Sequence, residues 1–332
     1  MTTLIDKYNR HLNYLRISVT DRCNLRCVYC LPRSFVPKLS HADILNYEEI
    51  LRIVRIAASL GISKIRVTGG EPLLRKGIYD FIKDLSQIEG IEDISLTTNG
   101  IFLKENIEKI KSAGIRRINI SLDTLNTRKF AKITGSDLFD QVWEGIMLAR
   151  ETGFHPIKIN VVALRGINDG ELRDIAKLSF SHPFHIRFIE HMPIGNSKFK
   201  IQNSESEILG PEIIENISAL GELVPVENEI NDGPAIRYKF RGAAGEIGLI
   251  RPLSHHFCNK CNRLRLTASG QLRVCLLSDH QEDLKTPLRN GCSDDELGDI
   301  FLRAVHLKPL RHGLAHIGSS RSVSTQMSAI GG

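Results

Sequence analysis

Six short β-branched runs, each followed by a helical pattern, set the strongest limit on how this 332-residue chain can fold. They are LRISVT (15–20), SKIRVT (63–68), DISLTT (93–98), RRINISL (116–122), IKINVVA (157–163) and FHIRFIE (184–190). The segments between them read as helices. Tyr47 to Leu60 follows a potential N-cap at Asn46, has Glu49 at the capping-box position and meets Gly61 at its end. Asp137 to Thr152 is bounded by Ser136 and Gly153. Strand–helix units in series predict an α/β fold with parallel strands and right-handed crossovers. A closed barrel of this kind needs eight units. Six predict either a partial, open (β/α)6 barrel or a doubly wound sheet.

The polarity of the runs separates these two. Buried parallel strands usually read as near-continuous apolar stretches. Here every second position is polar: Arg16 and Ser18; Lys64, Arg66 and Thr68; Ser95 and Thr97; Arg117, Asn119 and Ser121; Lys158 and Asn160; His185 and Arg187. The alternate face is Ile, Leu, Val or Phe and suits packing against helices. Buried cations without partners are costly, so the polar face must line a wet or ligand-filled interior. The expectation is an open barrel around a cationic cavity.

Past about residue 195 the pattern changes. Ser204 to Ser218 reads as one more helix, and residues 220–275 hold strand-like pieces such as AIRYKF, GEIGLI and RLRLT. Asp294 to His306 reads as a late helix, and residues 311–332 are polar and rich in Gly and Ser. This divides the chain into a barrel region, 1–200, and a C-terminal region, 201–332.

The net charge of +6 suits an acidic substrate as well as a nucleic acid. Aromatics are only 6%, and the cations are spread over six strands, which argues against a nucleic-acid surface built on stacked bases. No apolar run reaches the roughly 18 residues of a membrane span. The N-terminus MTTLIDKYNRHLNYLR has no secretory pattern, so the expected location is the cytoplasm and no membrane partner is expected.

Seven cysteines in such a chain point to metal or catalysis more than to disulfides. Cys23, Cys27 and Cys30 form C-x3-C-x2-C directly after the first run. Three thiolates so spaced can hold three irons of a [4Fe–4S] cube and leave the fourth open, whereas electron-transfer clusters usually have four protein ligands. The alternative is a zinc site completed from a distance, by His41 for example. Cys258, Cys261 and Cys275 form a second trio, C-x2-C-x13-C, which His255, His256 or His280 could complete as a zinc site. Arg263 and Arg265 follow, on one face of a strand; cations there suit an anionic ligand, or a solvated edge strand. Thr68-Gly69-Gly70-Glu71-Pro72 ends the second run, where glycines let a ligand approach the backbone or simply make a tight turn. Cys292 reads as a plain structural or surface thiol.

The first cysteine trio, with Tyr29 before its last member, and GGEP at strand two resemble the radical S-adenosylmethionine (SAM) superfamily, whose fold is a partial (β/α)6 barrel. The second trio followed by Arg-x-Arg, and the terminal Gly331-Gly332, narrow the resemblance to the GTP 3′,8-cyclase family of molybdenum-cofactor biosynthesis. It runs from LRISVTDRCNLRCVYC through VTGGEPLLR, TTNG, ISLDTL, KINVVALRGIND and RFIEHMPIGN to SAIGG. Leu31 departs from the Met frequent after the third cysteine, a volume-conserving change. Residues 201–231 carry none of the motifs.

The resemblance implies that Cys23, Cys27 and Cys30 hold the cluster that binds SAM, with Tyr29, Gly70, Ser121 and Met192 in contact with SAM. It implies a second [4Fe–4S] cluster on Cys258, Cys261 and Cys275 whose open iron meets the guanine of GTP. Arg16, Arg66, Thr97, Lys158, Arg263, Leu264 and Arg265 would bind GTP, with Lys64 and Arg187 assisting from the same face. Arg263, Arg265, Gly331 and Gly332 would serve catalysis, the Gly-Gly tail entering the active site. The implied reaction removes the 3′ hydrogen of GTP by a 5′-deoxyadenosyl radical, joins C3′ to C8 and adds an electron and a proton. The implied partners are a reductant protein and a downstream cyclic pyranopterin monophosphate synthase, with the chain a monomer or homodimer. A radical SAM peptide-modifying enzyme would carry more C-terminal cysteines than three. A pure electron carrier would need neither a cationic barrel nor two three-cysteine sites.

Overall fold

The computed structural model describes residues 3–30, 38–192, 194, 207–227, 233–312, 323 and 325–331. The six runs form β1 (Tyr14–Ser18), β2 (Lys64–Thr68), β3 (Asp93–Thr98), β4 (Arg117–Ser121), β5 (Ile157–Ala163) and β6 (Phe184–Glu190). They pair in sequence order and all in parallel. The later strands are β7 (Leu223–Val226), β8 (Ile236–Phe240), β9 (Glu246–Ile250), β10 (Arg263–Leu266), β11 (Gln271–Arg273) and β12 (Gln281–Asp283).

These later strands extend the barrel wall at both ends. β9 lies parallel to β6, with β8 and β7 antiparallel beyond it. β10 lies parallel to β1, with β11 and β12 antiparallel beyond it. Among the described residues the result is one twelve-stranded sheet with β12 and β7 at its edges. The six-unit barrel is therefore as expected, while the split of the later strands between its two ends was not visible in the sequence.

The helices are α1 (Tyr47–Ser59), α2 (Ile78–Ser86), α3 (Leu103–Ser112), α4 (Thr127–Thr134), α5 (Phe139–Glu151), α6 (Leu172–Ser181), α7 (Gly210–Ser218), α8 (Lys285–Arg289), α9 (Asp294–His306) and α10 (Met327–Ile330). α1 starts as its sequence dictates: Asn46 accepts the Glu49 N–H, and Glu49 accepts the Asn46 N–H. Its Ile50, Ile53, Val54 and Ala57 recur at helical spacing and are buried. They face the apolar side of the sheet, where Ile17, Ile65, Val67, Leu96, Ile118 and Ile159 are all fully enclosed. Each such side chain contributes about 1.5–3 kcal/mol by leaving water.

Two helix starts differ from expectation. Ser136 does not cap the helix over 137–152; its N–H and carbonyl are taken by the Thr134 hydroxyl at the end of α4, and α5 begins at Phe139. The helix expected from Ser204 begins at Gly210, with Pro211 in its first turn; residues 204–206 lie outside the described residues. Leu31 and Gly332 also lie outside them.

Candidate active site

Some polar positions on the strands are paired within the protein and others line a cavity. Arg117 and Lys64 both pair with Asp93, and Glu246, beside His185, pairs with Arg237 at 2.8 Å. A cavity of about 300 Å³ is lined by Arg16, Lys64, Arg66, Lys158, Arg187, Arg263 and Arg265. Not every polar strand position lines it, as the alternation alone had suggested; Arg117 and His185 do not.

Sheet register arranges the cavity's cations. Arg16 pairs with Arg66 on one side and Arg265 on the other, so three guanidinium groups share one level across β10, β1 and β2. Tyr14 lies in register with Arg263 and Lys64. Burial pushes the Tyr14 hydroxyl up, but Arg66, Arg16, Lys64 and Arg263 outweigh it and bring it down to about 8. Burial, then the neighbouring arginines, holds Arg16 down to about 10. Such an arrangement asks for a multiply charged anion. Thr97 Oγ1 and Asn160 Oδ1 in the same cavity wall are buried with no hydrogen-bond partner among the described residues. They mark places where a bound molecule would supply the missing bonds.

Both cysteine trios open on this cavity. Burial pushes the Cys30 thiol up to about 12, and Cys23 adds to the shift. Cys27 is raised in the same direction, by burial and then by Cys30, Asp123 and Cys23. Thiols that oppose one another's ionisation in a dry pocket need an added positive centre to act as thiolates. In the second trio, burial raises Cys261, yet Arg263 and Lys308 overcome it and hold the thiol down to about 6. Among the described residues no three His, Cys, Asp or Glu side chains gather closely enough for a single metal ion. The members of each trio lie near enough to raise one another's thiols, which fits a cluster that takes each cysteine at a separate corner.

Tyr29, Gly70, Ser121 and Met192 line the cavity, as do Arg16, Arg66, Thr97, Lys158, Arg263 and Arg265. Leu264 does not: its side chain is fully buried in the core on the other face of β10. Strand alternation requires this, because Arg263 and Arg265 both face the cavity. The Gly69-Gly70 turn is shaped first by the cysteine loop. A Cβ on Gly70 would collide with Arg22 O, and the Gly70 N–H donates to Thr20 O at 2.7 Å. Gly331 is buried between β1 and β2, and its carbonyl accepts from Arg265 Nη1 at 2.7 Å. The preceding Met327 and Ser328 line the cavity, and the Ser328 N–H points at Cys30. Gly332 falls outside the described residues.

Several residues escaped the sequence reading. Asp123 lines the cavity at the end of β4 and accepts from Tyr29 Oη and the Val162 N–H, at 2.7 and 2.8 Å. Burial pushes its carboxyl up to about 6. Its place just past a barrel strand was the available signal. Asn99 donates toward Cys23 Sγ, 3.8 Å away. Glu190, fully buried at the end of β6, accepts from the N–H groups of Gly210, Leu253 and Ser254.

Comparison with known proteins agrees with this architecture. Residues 17–179 match the family model described as Radical SAM superfamily, and residues 184–314 match Molybdenum Cofactor Synthesis C. The crystal structure of Streptococcus suis SuiB bound to S-adenosylmethionine superposes with a TM-score of 0.61 at 16% identity, over 89% of this chain and 69% of that one; at that identity the likeness speaks for the fold alone. The chain is 48% identical over 328 residues to a GTP 3′,8-cyclase of Pelotomaculum thermopropionicum, covering 98% of this chain and 99% of that protein. It is 47% identical over 327 residues to one of Moorella thermoacetica, with the same coverage. At this identity over nearly the full length, the chain belongs to the GTP 3′,8-cyclase family.

Proposed function

We propose that this protein converts GTP to (8S)-3′,8-cyclo-7,8-dihydroguanosine 5′-triphosphate, the first step of molybdenum-cofactor biosynthesis. The observation that supports it is that two cysteine trios and two rows of cations face one cavity. In this reading residues 1–200 form the SAM-binding barrel and residues 201–332 complete the substrate site. Cys23, Cys27 and Cys30 hold one [4Fe–4S] cluster, with Tyr29, Gly70, Ser121 and Met192 around SAM. Cys258, Cys261 and Cys275 hold the second. With a reduced cluster on Cys23, Cys27 and Cys30 and SAM beside it, the site would supply radical chemistry for abstraction of a hydrogen atom from the substrate.

The chain's own residues do the positioning. Arg16, Arg66, Lys158, Arg263 and Arg265 hold the triphosphate, for which guanidinium forks are well matched. Thr97 offers its unused hydroxyl to the nucleotide. Leu264 takes part only by holding its two arginine neighbours on the cavity side. Arg265 also fixes the tail through the Gly331 carbonyl, so the tail and the triphosphate share one cation. Fixing C3′ near C8 removes most of the entropic cost of the ring closure. A reductant protein and a downstream cyclic pyranopterin monophosphate synthase complete the proposed setting, in the cytoplasm. No helix of the described residues is long and apolar enough to cross a membrane.

Loss of one hydrogen atom and gain of one electron and one proton make the product an isomer of GTP. The test is an anaerobic reaction of reconstituted protein with SAM, dithionite and 3′-deuterated GTP. Expected are deuterated 5′-deoxyadenosine and a chromatographically new species one mass unit lighter than the substrate, its deuterium replaced by a solvent proton. SAM cleavage with GTP unchanged would leave the superfamily and remove the substrate.

A further inference from the structure

Lys308 is a buried cation outside the proposed SAM and GTP contacts. It follows α9, and only 2% of its surface is exposed. Among the described residues it forms no ion pair with a carboxylate. Its Nζ instead donates to two carbonyls, Arg263 O at 2.9 Å and Val274 O. These carbonyls belong to the two segments that carry the second cysteine trio: Arg263 opens β10 just after Cys261, and Val274 immediately precedes Cys275. One ammonium group therefore ties both cysteine-bearing segments together from behind. Burial lowers its proton affinity, and Cys261 and Cys275 are the neighbours that raise it again.

The same corner has a second brace. Arg10 is buried and paired with Asp6 at 2.6 Å. It donates to Cys258 O and, at 2.8 Å, to Pro309 O. The N-terminal segment thus holds the third cysteine's backbone and also the chain beside Lys308. A buried ammonium without a carboxylate is expensive unless an anion lies close by. The anions within reach here are the thiolates of the trio.

We propose that Lys308 is a positioning residue for the second cluster. It holds Cys261 and Cys275 at a fixed separation before the metal arrives, and its charge offsets the negative charge of the bound thiolates. The inference rests on the assignment of Cys258, Cys261 and Cys275 as cluster ligands. A cation bonded to the backbone beside Cys261 and Cys275 would make the electron-rich, reduced state of a cluster held there easier to reach, because it lowers the cost of the added negative charge.

The test compares Lys308→Gln, which can donate hydrogen bonds but has no charge, with Lys308→Arg, which keeps the charge. Both are prepared as full chains, reconstituted anaerobically, and read by iron content and by redox titration followed by electron paramagnetic resonance. Lys308→Gln is expected to shift the second cluster's midpoint potential to more negative values and to lose iron from that site, while the first cluster keeps its iron. Lys308→Arg is expected to remain close to the wild type. Unchanged iron and potential in Lys308→Gln would overturn the proposal. So would equal iron loss from both clusters, or loss of the fold, in both variants, since that marks an ordinary scaffold lysine. Wild-type protein with iron at one site only would sink the second-cluster assignment itself, and this inference with it.

Discussion

Gly331 has a positive φ of 82°, and a Cβ there would lie 2.7 Å from Thr68 Cγ2. Any other residue must push β2 or lift the tail. Overpacking of this kind costs about 1–3 kcal/mol, and each 1.36 kcal/mol is about tenfold in population. Gly331→Ala is therefore expected to lower product yield by about ten- to a hundredfold, with melting temperature and iron content unchanged; yield at the wild-type level would mean that the docked tail is dispensable. Glu71 makes a different prediction. It is fully buried, and burial pushes its carboxyl up to about 7, against hydrogen bonds from the Asn99 and Leu73 N–H groups and the Thr98 hydroxyl. Its ordinary value is near 4.5. Between these two values the folded state binds more protons than the unfolded state, so stability falls as pH rises through that window. The loss is about 3 kcal/mol over the window, from the size of the shift. Denaturant melts of wild type and Glu71→Gln at pH 4.5 to 7 isolate it: the wild type should lose stability relative to the neutral variant as pH rises, so the two curves separate, and parallel curves would remove Glu71 as the cause. At this scale the first cysteine trio and the Gly-Gly turn were legible because each lies within a few residues of sequence, and the second trio because its first two members, Cys258 and Cys261, do. Lys308 and Asp123 were not, since neither belongs to a spacing that signals its partners.

Elements were read best where their limits are set locally. α1 and α9 begin at Asn46 and Ser293 because each has a Glu three residues on that completes the capping box. α5 was misread at its start because Ser136 has a closer partner in Thr134, a competition that spacing does not show. The end of β6 carries an element-scale device of its own. Glu190 collects the N–H groups of Gly210, at the start of α7, and of Leu253 and Ser254, in the loop leading to Cys258, together with the Ser254 hydroxyl. Removing the carboxylate leaves several buried donors unpaired, at about 1–3 kcal/mol each. Glu190→Ala is expected to lower the urea midpoint strongly and to reduce iron at the second trio before the first. Equal loss from both trios would mean that Glu190 supports the barrel as a whole and not that loop.

At the scale of the molecule, β10 joins β1 across more than two hundred residues of chain and brings Arg263 and Arg265 level with Tyr14 and Arg16. The like charges so gathered repel until an anion binds. GTP, and inorganic tripolyphosphate alone, should therefore raise the melting temperature, by an amount equivalent to about 2.7 kcal/mol at a hundred times Kd. The rise should shrink as salt is added. A thermal shift with GTP and none with tripolyphosphate would place the recognition in the base instead of the phosphates. The sequence by itself determined the parallel strand–helix units, the polar face of each strand and both cysteine trios, because each is a matter of short-range spacing and side-chain alternation. Only the tertiary structure decided which cations share a level, that residues after 200 extend both ends of the barrel wall, and that Lys308 lies behind the second trio. Those contacts join residues far apart in the chain, and register between distant strands leaves no periodic trace in either one.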